Sequence, residues 1–285
     1  MNTTKAGLEK SIQEKCSIYI SPIFSTINVA LSCVGVMYIS FSFFGISPPL
    51  YLLLSGFLAT FSIYSLNMVT DVKEDIMNQP QRLELISHKK IIYMLFISSY
   101  LLSLLLAYTV KPICILILLI PLFVGIIYSI EIKNFRLKKV FLGKNISISF
   151  SWAIEASLLP FIFYENNIYF IAVFSFIFLK GMVNTILFDL RDVKGDSVAN
   201  IKTVPNIIGK KKTIIILFIL NTLLLIWVYL FLNEFSSLSL ILILWIVYGY
   251  AYLLFFCYKN PSRIFYSILI DDEWLLWMFI IMLLK

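Results

Sequence analysis

"YLLLSGFLATFSIYSLNMVTDVKEDIMNQPQR", residues 51–82, passes from a long apolar run into a cluster of acids and amides. The apolar part has the length of a bilayer-crossing helix, which takes about 20 residues. Asn67, Asp71 and Asp75 then recur every fourth residue, so a continuing helix projects all three from one face. The pattern reads as a membrane span that ends in a polar site at the water boundary.

The rest of the chain fits that setting. Of its 285 residues 60% are hydrophobic and only 14% charged, whereas soluble domains are about a quarter charged. Nine stretches have the length and apolarity of spanning helices: 18–43, 49–68, 91–110, 112–130, 146–164, 168–188, 213–232, 238–258 and 266–284. Asp271, Asp272 and Glu273 interrupt the last, so either a turn divides it or the acids face the protein interior. The expected fold is all-α, a polytopic membrane protein of about nine transmembrane helices around a central cavity. A single domain is expected over 1–285.

Of the 23 Lys and Arg residues, 20 fall in the N-terminal tail and in the connections after the second, fourth, sixth and eighth spans. That asymmetry places the tail, 1–16, and those connections on the cytoplasmic side of the cell membrane. The net charge of +7 is therefore a topology signal and does not call for nucleic acid. The polar tail lacks the apolar core and small-residue cleavage site of a removable signal peptide. Cys16, Cys33, Cys114 and Cys257 are scattered, without a CxxC pair or neighbouring histidines, and read as packing residues. His88 reads as a solvated loop residue.

A second acidic cluster, "FDLRDVKGDSVANIKTVPNIIGKKK", occupies residues 188–212 at the end of the sixth span. Asp189, Asp192 and Asp196 can share one helical face. The two clusters lie four spans apart, as expected of two related halves meeting around a cavity. Facing carboxylates repel unless cations lie between them. Mg²⁺ prefers oxygen ligands and commonly joins carboxylates to phosphates. Lys73, Arg82, Lys89, Arg191, Lys194 and Lys202 surround the clusters, a mixture that suits a bound diphosphate. A nucleotide triphosphatase is disfavoured, because no glycine-rich phosphate loop is present. One such cluster could be a solvated helix end; two on the same side at matching helix ends argue for a site.

These stretches resemble the signatures of the UbiA superfamily of intramembrane prenyltransferases. Asn67, Asp71, Asp75, Asn78, Pro80 and Arg82 fall on the first, Asn-x-x-x-Asp-x-x-x-Asp continuing to Asn-x-Pro-x-Arg. Asp189, Asp192, Asp196, Lys202 and Thr203 match the second. The resemblance implies that Asp71, Asp75, Asp189, Asp192 and Asp196 hold Mg²⁺ on the diphosphate of a polyprenyl donor, with Asn67, Arg82 and Lys202 at the substrate. Ionisation of the donor then leaves an allylic carbocation for an acceptor to attack. It also implies that Tyr128 and a following lysine contact the diphosphate. Lys133 is the nearest equivalent, but its spacing is one residue too long, which leaves Lys138 and Lys139 open. Many relatives carry an Arg-Pro near the first span, where this chain has "YISPIFSTINVAL", residues 19–31, without arginine. No contact from that helix carries over.

Glu155 and Lys180 are charges inside spans, which by default mark pairing or function. Each lies roughly 12–14 Å from the cytoplasmic end of its helix, so a buried pair at the acceptor end of the cavity is expected, with a purely structural pair as the other reading. Asn184, one turn beyond Lys180, is expected to line the same cavity. The expected activity is Mg²⁺-dependent transfer of a polyprenyl group to a small acceptor, an aromatic quinone-type precursor or a prenylglyceryl phosphate. Two rivals stand beside it: a terpene cyclase on the same scaffold, and a non-enzymatic lipid or cation transporter.

Overall fold

The computed structural model describes residues 22–284 apart from 132, 134 and 260. The tail 1–16 and the start of the first expected span lie outside the described residues. Every regular element among them is helical. Helix α1 (Pro22–Phe43) ends at Gly45, whose φ of +71° suits glycine, and α2 (Leu50–Thr70) starts after Pro49 in extended backbone. Short α3 (Val72–Asn78) and a 3₁₀ stretch (Pro80–His88) lead into α4 (Lys89–Val110) and α5 (Ile113–Ser129). Helices α6 (Gly143–Phe161) and α7 (Asn167–Val198) follow, the latter capped by Asn166, whose side chain accepts from the N–H groups of Ile168 and Tyr169. Short α8 (Val204–Ile208), α9 (Lys210–Leu230) and α10 (Ser239–Tyr258) precede a divided last segment. That segment is α11 (Arg263–Tyr266), a π turn (Ser267–Asp271) and α12 (Glu273–Leu284).

Six of the described helices, α1, α2, α4, α7, α9 and α10, are long and apolar enough to cross a membrane, against about nine expected stretches. The difference has physical causes. Helix α5 is apolar but shorter. Helix α6 carries four serines and Glu155, polar groups that turn inward. The last segment breaks at its acids. Leu101, Leu105, Leu230 and Leu244 stand exposed on the outer surface, where lipid is their natural solvent. This is a membrane protein.

The bundle packs α2 on α4, α6 on α7, and the last helix on α1. Gly35 of α1 permits that last contact, since a Cβ there would lie 2.7 Å from the backbone oxygen of Trp274. An aromatic core fills the region behind it. Phe176 lies with ring centroids 4.9 Å from Trp227 and 5.2 Å from Trp245, and Trp245 lies 5.1 Å from Trp274.

One charged network is sealed within this core, and it corrects an expectation. Lys180 does not meet Glu155. Its Nζ pairs with Glu273 at 3.0 Å and donates to the Tyr252 hydroxyl at 2.9 Å. Tyr252 donates to Asn184 at 3.2 Å, and Asn184 donates to Glu273 at 2.6 Å, closing a ring that Trp245 completes by donating to Glu273 at 3.2 Å. Helix α7 reaches past the nearest antiparallel neighbour to α12, which spacing along the chain does not reveal. Lys180→Met leaves Glu273 charged and unpaired, a loss of about 3–5 kcal/mol. Thermal unfolding in detergent should show that loss, and Lys180→Met with Glu273→Met together should regain most of it.

Candidate active site

The first acidic motif keeps its face despite a break in the helix. Asp71, at φ −90° and ψ 26°, separates α2 from α3. The four-residue ladder nevertheless runs through it: Asp71 N–H donates to Asn67 O at 3.0 Å, and Asp75 N–H to Asp71 O at 2.9 Å. Asn67, Asp71, Glu74, Asp75 and Asn78 therefore line one chamber. Helix α7 continues ten residues past the expected span end at 188 and brings Asp192 and Asp196 to the facing wall. The motifs are joined directly, since Asn78 accepts the backbone N–H of Gly195 at 3.0 Å. Gly195 is required for that approach; a Cβ would fall 2.2 Å from the Asn78 amide.

Cations cover these carboxylates in a fixed pattern. Asp71 is held by Arg136 and Lys138, each at 2.7 Å, and the same two residues pair with Glu74 at 3.0 and 2.6 Å. Lys144 bridges Asp189 at 2.8 Å and Asp196 at 2.9 Å, and Asn145 donates to Asp189 at 2.8 Å. Asp192 is gripped by Arg191 and Arg263, each at 2.7 Å, and Asp75 meets Arg82 at 3.4 Å. Burial alone would raise the Asp71 carboxyl, but Lys138 and Arg136 outweigh it and hold it below the usual range. Asp75 is the contrary case: burial, opposed only in part by Arg82, pushes it up to about 6.

Three of the cations arrive close together in the chain. Arg136 and Lys138 lie in the connection between α5 and α6, Lys144 lies on the first turn of α6, and the connection ends in Leu142 with a left-handed φ of 59°. Gly143 then passes so close to Leu137 that a Cβ would lie 2.2 Å from its carbonyl oxygen. Among the lysines left open by the sequence, Lys138 lines the chamber, with its Nζ 5.5 Å from the Tyr128 ring centroid. Lys139 pairs with Glu131 at 2.9 Å, and Lys133 is exposed and away from the chamber. Lys202 is likewise exposed and does not line the chamber. Tyr128, Arg82 and Asn67 do line it, and Asn67 accepts from the Ser129 hydroxyl. Asp189 sits fully buried behind the wall with Lys144. Asn184 lines a second chamber.

Glu74, Arg136, Lys144 and Arg263 were not singled out from the sequence. Glu74 offered a signal, lying three residues after Asp71 on the same turn. The partners of Arg136, Lys144 and Arg263 are 45 to 71 residues away in the chain, and no local spacing announces them.

The two chambers share their mouth. The first descends from the acids along Cys33, Met37, Thr60, Ile63, Gly125 and Ala156, and the second runs between α1 and the last helix. Arg82, Lys144, Arg191 and Asp192 border both, and Tyr64, Ile148 and Trp152 divide them. The donors at the mouth are all oxygens, which suits Mg²⁺. No three acidic, histidine or cysteine side chains among the described residues close on a single point. The arrangement therefore fits a cation shared between carboxylates and phosphate oxygens, better than one held by protein alone.

A charged mouth opening onto an apolar chamber inside a helical bundle defines a membrane protein built for a ligand with a polar head and a lipid tail. The chain belongs to the UbiA prenyltransferase family, whose family model matches residues 28–281. Among solved structures, a UbiA homologue from Archaeoglobus fulgidus bound to GPP and Mg²⁺ superposes with a TM-score of 0.70 at 19% identity, covering 92% of this chain and 99% of that one. The same homologue bound to DMAPP and Mg²⁺ gives 0.69 at 19% identity, with 93% and 100% covered. A structure described for digeranylgeranylglyceryl phosphate synthase gives 0.58 at 16% identity, with 92% and 95% covered. No curated protein sequence matches the chain.

The Asn78–Gly195 contact yields a test of the joint between motifs. Gly195→Ala should destabilise the protein by about 1–3 kcal/mol, from overpacking and the displaced hydrogen bond. Because both changes act on one contact, Gly195→Ala combined with Asn78→Ala should cost clearly less than the sum of the two singles, read by unfolding of all four proteins in detergent.

Proposed function

We propose that the chain transfers a polyprenyl group from its diphosphate to a small acceptor, with Mg²⁺, at the shared mouth of the two chambers. The observation that carries this reading is the convergence of both acidic motifs and their covering cations on one chamber that turns apolar below them. Asp71, Asp75, Asp192 and Asp196 hold the metal, with Asp189 behind them orienting Lys144. Held there, Mg²⁺ would supply charge neutralisation that makes the diphosphate a better leaving group. Lys138, Arg82 and Lys144 bind the phosphate oxygens directly, and Tyr128 places its ring beside them. The apolar wall below excludes water from the cation formed as the carbon–oxygen bond breaks. Tyr64 and Trp152 present π faces that stabilise that cation.

The acceptor enters the second chamber. Tyr64, Trp152, Phe188 and Trp274 line it together with Asn184 and several hydroxyls, a lining that suits a flat aromatic acceptor of the quinone-precursor type. The relative described for digeranylgeranylglyceryl phosphate synthase keeps a prenylglyceryl phosphate as the second reading. The basic bias of the even-numbered connections supports a multi-pass protein of the cell membrane with this mouth facing the cytoplasm.

Replacing Asp71, Asp75, Asp192 or Asp196 by Asn should cut Mg²⁺-dependent diphosphate release by about 10²–10³-fold, the scale of one lost electrostatic contact to the transition state. Circular dichroism should show the helices intact. Full turnover in any of the four would remove the metal assignment. Product mass spectrometry separates the rival chemistry, because a cyclase yields a cyclic hydrocarbon from donor alone, whereas transfer requires an acceptor.

A further inference from the structure

Glu155 is a buried carboxyl that the mouth does not use. It lies on α6, lines the first chamber, and is 6% exposed. Its Oε1 has no hydrogen-bond partner among the described residues. The groups around it are committed elsewhere. Thr60 bonds the Cys33 thiol, Trp152 bonds Tyr64, and the Tyr100 hydroxyl donates to Leu118 O at 2.6 Å. Lys180, the cation expected beside it, is locked to Glu273.

Its depth is defined twice over. From Asp71 to Thr60 on α2 is 11 residues, and from Lys144 to Glu155 on α6 is also 11, so each helix places this level ~16 Å below the charged mouth. Between the two levels Ile63, Val124, Gly125, Ile148 and Pro121 make the lining largely apolar, interrupted by Tyr64, Ser147 and Ser151. The chamber thus has an ionic mouth, a largely apolar shaft and a carboxyl at its floor.

Resting on the reading that the donor's diphosphate sits at the mouth and its tail in this shaft, we infer that Glu155 is a specificity-determining residue that limits donor length. A tail that stops short of the floor leaves the carboxyl free to meet water. A tail that reaches it presses an alkyl end on a carboxyl it cannot hydrogen-bond, and shuts water out. A shaft of ~16 Å that also holds the inner edge of the diphosphate accommodates about two or three isoprene units rather than about four.

The test uses the full-length protein in nanodiscs with geranyl, farnesyl and geranylgeranyl diphosphate. It compares wild type, Glu155→Gln and Glu155→Leu. In wild type, kcat/KM for diphosphate release falls between the farnesyl and geranylgeranyl donors. In E155L the ratio of geranylgeranyl to geranyl kcat/KM rises roughly tenfold, the scale of one unsatisfied buried polar group. E155Q, which keeps the polarity and loses the acid, retains the wild-type profile. Thermal stabilisation of the three proteins by the three diphosphates reads the same limit without turnover. Absence of turnover with any donor would therefore count against prenyl transfer alone. The inference is overturned if E155L keeps the wild-type length profile in both measurements, or if E155Q shifts as far as E155L. Should E155L not fold, the volume-matched E155M answers the same question.

Discussion

Lys144 holds Asp189 and Asp196 together from the first turn of α6, and the geometry of the mouth depends on it. Without an interposed cation, the carboxylates of Asp71, α3 and α7 would repel across a poorly screened space, and the helix ends would splay. Lys144 therefore does in this structure what a phosphate-bound metal is expected to share in during turnover. It keeps the second acidic cluster compact before any ligand arrives. Arg136 and Lys138 do the same for Asp71 and Glu74. The site is preorganised by charge pairing, and the cations proposed to bind the diphosphate are among those that hold it in shape.

That economy has a structural source. Two cations come from the short connection between α5 and α6 and a third from the first turn of α6, and their path is set by the left-handed turn at Leu142 and the close passage of Gly143 over Leu137. A loop with freedom to move would let lysines sample water and leave the acids uncovered. This one is pinned at both ends, by Tyr128 beneath Lys138 and by Asp189 beside Lys144.

Much of this was legible in the sequence where the signal is local. The four-residue recurrence of Asn67, Asp71 and Asp75 survives the helix break, because the i→i−4 bonds continue through Asp71. The acids Asp271 to Glu273 point to a turn or an inward face, and the structure has both: a π turn, and Glu273 fully buried. Long-range partners were not legible. Lys133 has a spacing close to the family pattern, yet the loop geometry turns Lys138 inward and leaves Lys133 outside. Lys180 sat at the right depth to meet Glu155, but depth fixes only one coordinate. Azimuth around the helix decides the partner, and α7 turns Lys180 toward α12.

The sealed ring around Lys180 also constrains how the protein is made. A carboxylate at the centre of an isolated span costs on the order of 3 kcal/mol to insert, and the last segment carries three acids at its break. As a free helix it would be a poor candidate for the bilayer. Packed against α7 and α10, Glu273 meets donors from Lys180, Asn184 and Trp245, with Tyr252 donating in turn to Asn184. Glu273 is therefore compensated only within the packed bundle, and the wall that its helix gives the second chamber depends on α7 and α10 to sit at membrane depth.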